Sequence, residues 1–393
     1  MNGLKTRLIV DGVFFQLAQS GIARIWKTVL PKLVERHSIE AILLDRGGAP
    51  DLAGIRRIPF RPYSPSLTAQ DSSLLEDICD LNSADMFLST YYSTPLKTPA
   101  LSVVYDMIPE RLGWDLGEAI WQEKELHIRY GRRHLCISEQ TRLDLLEFYP
   151  ELDPQHVEVA YCGVDRSIFS PSSAADQQRF RIRLGLSRPF YILVGHRSAH
   201  EGYKNCRPFF EAVSKMNDSD FDILCVGGEV ELEPWIFEYL PKTCRVTRVD
   251  LEDQDLAIAY TSAEALVYPS KYEGFGLPVI EAMACGCPVI STTGGAIPEA
   301  AGTAAYFVDP NSVSEMIAGL RAVRRPEIRE KLKGEGNRQS AEFHWTTFVD
   351  AVARNVQQVN EGAKAGQFTE YYNRWSQFRL RQGNTDEQRA ADA

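Results

Sequence analysis

The sequence predicts an α/β protein made of two Rossmann-like, doubly wound domains that face each other across a cleft. Three observations lead to this fold class: a length of 393 residues, short apolar runs that recur along the chain, and helix-like stretches between those runs. This length exceeds that of one ordinary domain. Because such folds bind ligands at the carboxyl ends of their strands, we expect the functional site in the cleft.

The apolar runs are the predicted strands. They are apolar throughout rather than alternating, which is typical of strands buried on both faces of a parallel sheet covered by helices. The runs are RLIVDGVF, AILLD, MFLST, ALSVVYD, HLCIS and VEVAY in the first part of the chain, and FYILVG, FDILCVGG, RVTRVD, EALVYPS, CPVIS and AAYFVDP in the second.

A polar stretch separates the two sets of strands. It runs from Gly163 to Phe180 and contains Pro171 among several serines, which is typical of a linker between domains.

Composition excludes several classes of protein. The net charge of −10 argues against a nucleic-acid-binding protein. We find neither a signal-peptide pattern nor an apolar run long enough to cross a membrane. The eight scattered cysteines are interpreted as buried free thiols, which fits a cytoplasmic location.

The most informative segment is KYEGFGLPVIEAMACGCPVIS, which starts at Lys271. It is predicted to be a strand-to-helix loop in which Gly274 and Gly276 let the backbone approach a ligand closely. Free amides at a helix N-terminus favour a phosphate. Glu273 lies in the loop, and Glu281 on the helix could accept two hydrogen bonds from a ribose diol. The pattern suits a nucleotide-linked sugar; the alternative is a glycine turn with two solvated glutamates.

The stretch YPSKYEGFGLPVIEAMACGCPVIST closely resembles the signature of retaining family 4 glycosyltransferases, which have the GT-B fold. That signature is a pair of glutamates with seven residues between them, as in Glu273 and Glu281. Further segments resemble the family in the right order, so that the resemblance covers nearly the whole chain. These segments are SGIAR, VYDMIPE, SEQTRLDLLEFYP, VEVAYCGVD, VGHRSAHEGYKN and FHWTTFVDAVARNV.

The resemblance and the linker together give the domain boundaries. We expect an N-terminal acceptor domain over 1–170 and a C-terminal donor domain over 180–342. Residues 343–365 are expected to form a helix that returns to the N-terminal domain. Residues 366–393 form a tail, whose polar end we expect to be disordered.

The resemblance also implies a donor-binding set. Glu273 is expected to contact the donor sugar near the reacting carbon, and Glu281 to hold the ribose. The sugar and phosphates are expected to be lined by the amides of Gly274, Phe275, Gly276 and Leu277. Gly21, at the start of a helix, is expected to approach the donor phosphate or the acceptor.

Arg197 and Lys204 are the expected cations of the site. A departing diphosphate gathers negative charge in the transition state, which two cationic side chains would stabilise. In the family the matching pair binds the pyrophosphate; the alternative is ordinary surface charge. Because these cations would take the place of a metal ion, no metal and no other cofactor is expected.

Tyr105 and Asp106 mark a departure from the family. Many relatives have a histidine at the position of Tyr105, and a phenol with a pKa of about 10 is a poor proton carrier near neutral pH. One interpretation is a front-face mechanism in which the leaving phosphate takes the acceptor proton. The other is a pseudoenzyme. Tyr105 and Asp106 would then either shape the acceptor pocket or be structural residues at a strand end.

The predicted function is therefore retaining transfer of a sugar from a nucleoside diphosphate sugar to a hydroxyl group. By analogy with relatives, the acceptor is a growing surface polysaccharide or a lipid-linked glycan. The alternatives are a sugar-nucleotide-binding pseudoenzyme and another GT-B enzyme, such as a phosphorylase or an epimerase. The helix GIARIWKTVLPKLVERH, which starts at Gly21, is either packed on its sheet or in peripheral contact with the inner face of the plasma membrane.

Overall fold

The computed structural model describes residues 5–18, 21–197, 202–216 and 220–391, with side chains as far as Asn384. The chain divides into two compact units. Unit 1 comprises Met1–Tyr161 and Trp345–Ala393, and unit 2 comprises Cys162–His344.

Unit 1 contains a sheet in which, within the described residues, seven strands pair in parallel in the order β3-β2-β1-β4-β5-β6-β7. The chain leaves β1 in one direction to β2 and β3 and returns on the other side at β4, so the sheet has a switch point between β1 and β4. The strands are β1 Thr6–Asp11, β2 Ile39–Asp45, β3 Arg56–Pro59, β4 Met86–Ser89, β5 Ala100–Val104, β6 Arg133–Cys136 and β7 Val157–Val159.

The helices of unit 1 cover this sheet and bury apolar faces against it. They are α1 Val13–Leu17, α2 Gly21–Arg36, α3 Thr68–Leu81, α4 Ile108–Leu112, α5 Ala119–Tyr130, α6 Glu139–Phe148, α15 Trp345–Lys364 and α16 Thr369–Ala391. Although α15 comes from the far end of the chain, it packs on α2, β5 and β6.

Unit 2 has the same architecture, and in the parts of it that are described six parallel strands follow the order β10-β9-β8-β11-β12-β13. Its strands are β8 Phe190–Val194, β9 Asp222–Val226, β10 Val246–Val249, β11 Leu266–Tyr268, β12 Val289–Ser291 and β13 Ala305–Phe307. Its helices are α7 Ala174–Leu184, α8 Arg207–Lys215, α9 Pro234–Tyr239, α10 Asp253–Ser262, α11 Leu277–Ala284, α12 Ile297–Ala301, α13 Val313–Ala322 and α14 Pro326–Ser340.

The prediction of two α/β domains built on parallel sheets is confirmed, and each of the predicted apolar runs overlaps a strand. The sequence did not reveal β3, which has the sequence RRIP and is largely exposed. It lies at the edge of its sheet and pairs only with β2 among the described strands, so it needs no apolar run.

The boundary between the units differs from the expected one. Residues 162–170, which we assigned to the N-terminal domain, belong to unit 2. Hydrogen bonds explain this, since the N–H of Val164 donates to the carbonyl of Phe343 at 3.2 Å and Arg166 Nη1 donates to Ser340 Oγ at 3.3 Å. Composition alone could not show these partners, which lie more than 170 residues away along the chain.

The helix α16 occupies the tail from Thr369 to Ala391, and the expected disorder at its polar end stays a prediction. Tyr372 and Trp375 pack into the apolar core of unit 1 beside Leu75. Further along, Arg379 is fully buried and donates to both carboxylate oxygens of Glu123, at 3.0 and 3.1 Å. Tertiary contacts thus attach the first, aromatic part of the tail to unit 1.

Burial accounts for the apolar residues of α2 and for the cysteines. The apolar residues of α2 that fill unit 1 are Ala23, Ile25, Trp26, Val29, Leu30 and Leu33, so α2 packs within its own unit. No helix among the described residues has both the length and the apolar character to span a bilayer. All eight cysteines lie within the described ranges and are buried free thiols, as predicted.

Candidate functional site

The loop between β11 and α11 has the predicted strand–loop–helix form. Gly276 lies immediately before the helix with a φ of +105°, a conformation that favours glycine, and Pro278 occupies the first turn of α11. Gly286 follows the helix with a φ of +68° and ends it. The local chemistry of glycine and proline therefore dictates where this loop ends and where the helix begins and ends.

A second glycine loop supports the first. At Gly294 and Gly295 an added Cβ would collide with the backbone of Lys271 and Glu273. The N–H of Ala296 donates to the carbonyl of Glu273 at 2.9 Å. The second loop therefore has a structural role, because it fixes the backbone that carries Glu273.

Lys204 and Glu273 form an ion pair at the carboxyl edge of the sheet in unit 2. Lys204 Nζ lies 2.7 Å from Glu273 Oε1 and 2.8 Å from the hydroxyl of Tyr268, the last residue of β11. The Lys204 side chain is 16% exposed and that of Glu273 is 8% exposed. The pair thus retains an accessible side, where an anionic ligand could share the ammonium group.

The loop before α8 holds Lys204 in this place. Asn205 has a φ of +52°, which asparagine tolerates better than most residues. Its side-chain amide donates to the carbonyls of Pro269 and Pro310, at 3.1 and 2.8 Å. The N–H of Lys271 also donates to the carbonyl of Tyr203, at 2.7 Å. These bonds connect the lysine loop to the loop that carries Glu273.

Arg197, the second expected cation, is 1% exposed and has a different set of contacts. Its three guanidinium nitrogens donate to the carbonyls of Gly227 and Glu229 at 2.7 and 2.8 Å, and to Glu233 Oε2 at 3.2 Å. In this arrangement Arg197 anchors the loop between β9 and α9. Its binding to a diphosphate stays a prediction. Residues 198–201, between Arg197 and Lys204, lie outside the described residues.

Glu229 contacts both Arg197 and the preceding residue, His196. Its Oε2 accepts a hydrogen bond from the backbone N–H of Arg197 at 2.8 Å, and His196 Nδ1 lies 3.4 Å from Oε1. Burial opposes ionisation, but backbone hydrogen bonds and the charges of Arg197 and His196 lower the pKa of Glu229. The carboxylate is therefore a stable partner for the buried arginine.

The other residues of the expected donor set are mostly buried. Glu281 lies on α11 and is 2% exposed, and Leu277 is 8% exposed. The ring of Phe275 packs edge-on against Phe343, with centroids 5.3 Å apart. Gly274 and Gly276 lie in the loop itself. The roles of these residues toward a donor stay predictions.

In unit 1, Tyr105 and Asp106 have structural partners. The buried hydroxyl of Tyr105 accepts a hydrogen bond from Trp26 Nε1 at 2.7 Å and donates to the carbonyl of Thr90 at 3.0 Å. Asp106 Oδ1 accepts from the N–H of Ile108 at 3.0 Å, at the start of α4. These contacts favour the interpretation of both as strand-end structural residues.

Gly21 is the exposed first residue of α2, and Ser20 before it lies outside the described residues.

Sequence reasoning missed Tyr268. A signal was available, because Tyr268 is a polar residue at the carboxyl end of an otherwise apolar strand, which is the edge where such sheets bind ligands. Burial raises the pKa of its phenol well above the usual value, and the negative charge of Glu273 adds to this. The hydroxyl is therefore protonated at physiological pH.

Comparison with solved structures places the architecture among the GT-B glycosyltransferases. The chain is similar to sucrose-phosphate synthase from Thermosynechococcus elongatus, with a TM-score of 0.72 and 18% identity over 92% of this chain and all of that one. It is also similar to HepE from Anabaena in a complex with UDP-glucose, with a TM-score of 0.67 and 15% identity over 91% and 99% of the two chains. At these identities the likeness concerns the fold.

Residues 188–325 match the family model of glycosyl transferases group 1. Among curated proteins, the O-antigen chain mannosyltransferase B of Escherichia coli is 42% identical over 94 residues, which are 24% of this chain and 25% of that protein. The chain spans between a quarter and about half of the length of the first curated relatives it matches. The segment 188–325 that matches the family model contains Lys204, Tyr268, Glu273 and Glu281.

Proposed function

We propose that the protein is a retaining glycosyltransferase that moves a sugar from a nucleoside diphosphate sugar to a hydroxyl acceptor. The observation that carries this proposal is the Lys204–Glu273 pair, 2.7 Å apart beside a glycine loop and the N-terminus of α11. A helix N-terminus and an ammonium group together favour a diphosphate. The segment that holds this pair is also the one that matches the glycosyltransferase family model.

The role of Lys204 would be to stabilise the leaving group. As the bond between the anomeric carbon and the diphosphate breaks, negative charge grows on the departing oxygen, and an ammonium group already in place stabilises it. Glu273 orients the ammonium group and would accept hydrogen bonds from hydroxyls of the donor sugar. A metal ion is not needed in this scheme.

Tyr105 would not act as a base. Its hydroxyl is buried and bound to Trp26 and Thr90, and this supports a front-face reaction. The acceptor oxygen then bonds to the anomeric carbon on the face that the diphosphate leaves, and the acceptor proton passes to the departing phosphate oxygen. The configuration of the sugar is retained.

For the acceptor we propose a surface polysaccharide or a lipid-linked glycan, made in the cytoplasm or at the inner face of the plasma membrane. The O-antigen mannosyltransferase among the relatives supports this acceptor class. The eight buried free thiols fit a reducing compartment.

The test begins with a thermal-shift screen of UDP-, GDP- and ADP-linked hexoses, because a ligand that binds the folded state raises the melting temperature. The stabilising donor is then incubated with the protein and a lipid-linked glycan acceptor, and release of nucleoside diphosphate is followed by chromatography. NMR of the glycosylated product gives its anomeric configuration.

A donor that binds without turnover would indicate a pseudoenzyme. An inverted product would refute retention, and release of a free sugar phosphate from a glycan would indicate a phosphorylase.

A further inference from the structure

Tyr268 contacts the ion pair of the candidate site through its lysine. Its hydroxyl lies 2.8 Å from Lys204 Nζ, while the same Nζ lies 2.7 Å from Glu273 Oε1. The three residues come from separate segments: the loop before α8, the end of β11, and the loop after it.

The direction of the hydrogen bonds follows from what each group can donate. The ammonium group of Lys204 has only protons to donate, so the phenol oxygen accepts from it. The phenol keeps its proton, because burial and the negative charge of Glu273 raise its pKa. The hydroxyl therefore binds the ammonium group, which in turn binds Glu273.

Tyr268 is itself firmly held. It is 2% exposed, and its strand pairs in register with Ser291 of β12. The Ser291 hydroxyl donates to the Tyr268 carbonyl at 2.7 Å. The phenol is thus a rigid point, whereas the lysine side chain, with its four methylene groups, is flexible by itself.

We propose that Tyr268 is a positioning residue, which holds the Lys204 ammonium in place at the donor site and, through it, the Glu273 carboxylate. The inference rests on the proposed function. A bound diphosphate would compete with Glu273 for the ammonium group, and Tyr268 would keep both groups aligned during that competition. Preorganised charge is worth more than mobile charge, since small displacements of a catalytic group cost large factors in rate.

The experiment compares Y268F with Y191F, a matched control in the neighbouring strand β8. Tyr191 is also fully buried, and its hydroxyl donates to the carbonyl of Leu320 at 2.6 Å, away from Lys204 and Glu273. Each change removes one buried hydroxyl from unit 2, so both variants are expected to lose similar stability in urea unfolding. We expect kcat for donor turnover to fall about tenfold in Y268F and less than about twofold in Y191F.

Calorimetric titration with UDP and GDP supplies a second readout. Because Tyr268 acts through its partners, Y268F should weaken binding of the diphosphate in the wild-type background and add nothing in the K204A background. Y268H keeps a ring nitrogen that can form a hydrogen bond, and its kcat should lie between those of Y268F and the wild type. If Y268F does not fold, the kcat of Y268H tests the proposal in its place.

The outcomes separate the two proposals. A wild-type protein that neither binds these nucleotides nor turns over a donor refutes the proposed function and this inference with it. An active wild type with equal kcat values in Y268F and Y191F refutes the role of Tyr268 alone. Equal losses of affinity from Y268F in both backgrounds would also refute it.

Discussion

The carboxyl edges of the two sheets use charged side chains in opposite ways. In unit 1, Arg46 donates to both carboxylate oxygens of Asp11 at 2.6 and 2.7 Å and to Asp71 at 2.8 Å, and the three side chains are at most 2% exposed. In unit 2, Lys204 and Glu273 form a single ion pair whose lysine is 16% exposed. The first cation is enclosed by its partners, whereas the second can still be shared with a ligand.

The chemistry of the two cations explains the difference. The planar guanidinium of Arg46 matches a carboxylate with two parallel bonds, and it also lies over the ring of Phe60, 4.7 Å from the centroid. Burial opposes its charge, but Asp11 and Asp71 raise the pKa of Arg46 above its usual value. An ammonium group is a compact point charge with no such geometric match. A charge at this edge of a sheet therefore indicates a binding site only where its partners leave it accessible.

The largest expected effect is on stability at the edge of unit 1. The substitution R46M would leave Asp11 and Asp71 buried without their shared cation, and we expect the free energy of unfolding to fall by about 3–5 kcal/mol. Urea unfolding followed by circular dichroism measures this. In the control R57M, the lost ion pairs are at the surface, so the fall should be below about 1 kcal/mol. Equal effects would contradict the comparison.

The second prediction concerns catalysis in unit 2. K204A should reduce the turnover of a nucleoside diphosphate sugar by about 10²–10³-fold, because it removes the charge beside the leaving group. The control K215A changes an exposed lysine at the end of α8 and should leave turnover unchanged. Retention of full activity in K204A would show that the accessible charge has no catalytic role.

The third prediction uses pH to weaken unit 1. His127 is buried, with Nδ1 3.1 Å from the carbonyl of Ser93, and burial lowers its pKa from 6.5 to about 4. As the pH falls, His127 becomes protonated in the unfolded state before it does in the folded state. Stability that is present above pH 6.5 is therefore lost as the pH falls toward 4. Between pH 7 and 5 His127 should account for roughly 2 kcal/mol of this loss.

The matched variants for this prediction are H127Q and H156Q. H127Q removes the titrating group and should make the fall in stability with pH shallower. H156Q changes an exposed histidine of the same unit and should leave the slope as it is. Identical slopes in the wild type and H127Q would contradict the prediction.

The fourth prediction concerns donor affinity. E281A should raise the dissociation constant of the donor roughly tenfold, and more than it slows turnover, because a carboxylate bound to a ribose diol contributes to binding. E281Q keeps one acceptor oxygen and should have an intermediate effect. Unchanged affinity in a calorimetric titration would remove Glu281 from the donor set.

The smallest effect on activity is expected at Tyr105. Y105F removes a hydroxyl that joins Trp26 to Thr90, so stability should fall by about 1 kcal/mol while sugar transfer remains measurable. The free energy of unfolding and the rate of transfer are compared in the same preparation. Complete loss of transfer in a folded variant would show that the hydroxyl takes part in the reaction.

Much of the candidate site could be predicted because it is local in the sequence. Gly276, Pro278 and Gly286 dictate a loop and the two ends of a helix within a dozen residues. These boundaries place Glu273 in the loop and Glu281 on the helix. Arg197 shows the limit of this reasoning. Its charge predicts an anion site, but its partners lie thirty and more residues further along the chain.

The sequence by itself determined the two sets of parallel strands, because uninterrupted apolar runs are stable only when helices cover both faces of the sheet. The sequence also determined the loop that contains Gly274 and Gly276, and the positions of Glu273 and Glu281. Only the tertiary structure decided that Arg197 and Tyr105 are enclosed by partners while Lys204 stays accessible. The physical reason is that hydrogen-bond partners are set by proximity in space: Trp26 and Tyr105 are 79 residues apart in the chain, yet they share one hydrogen bond.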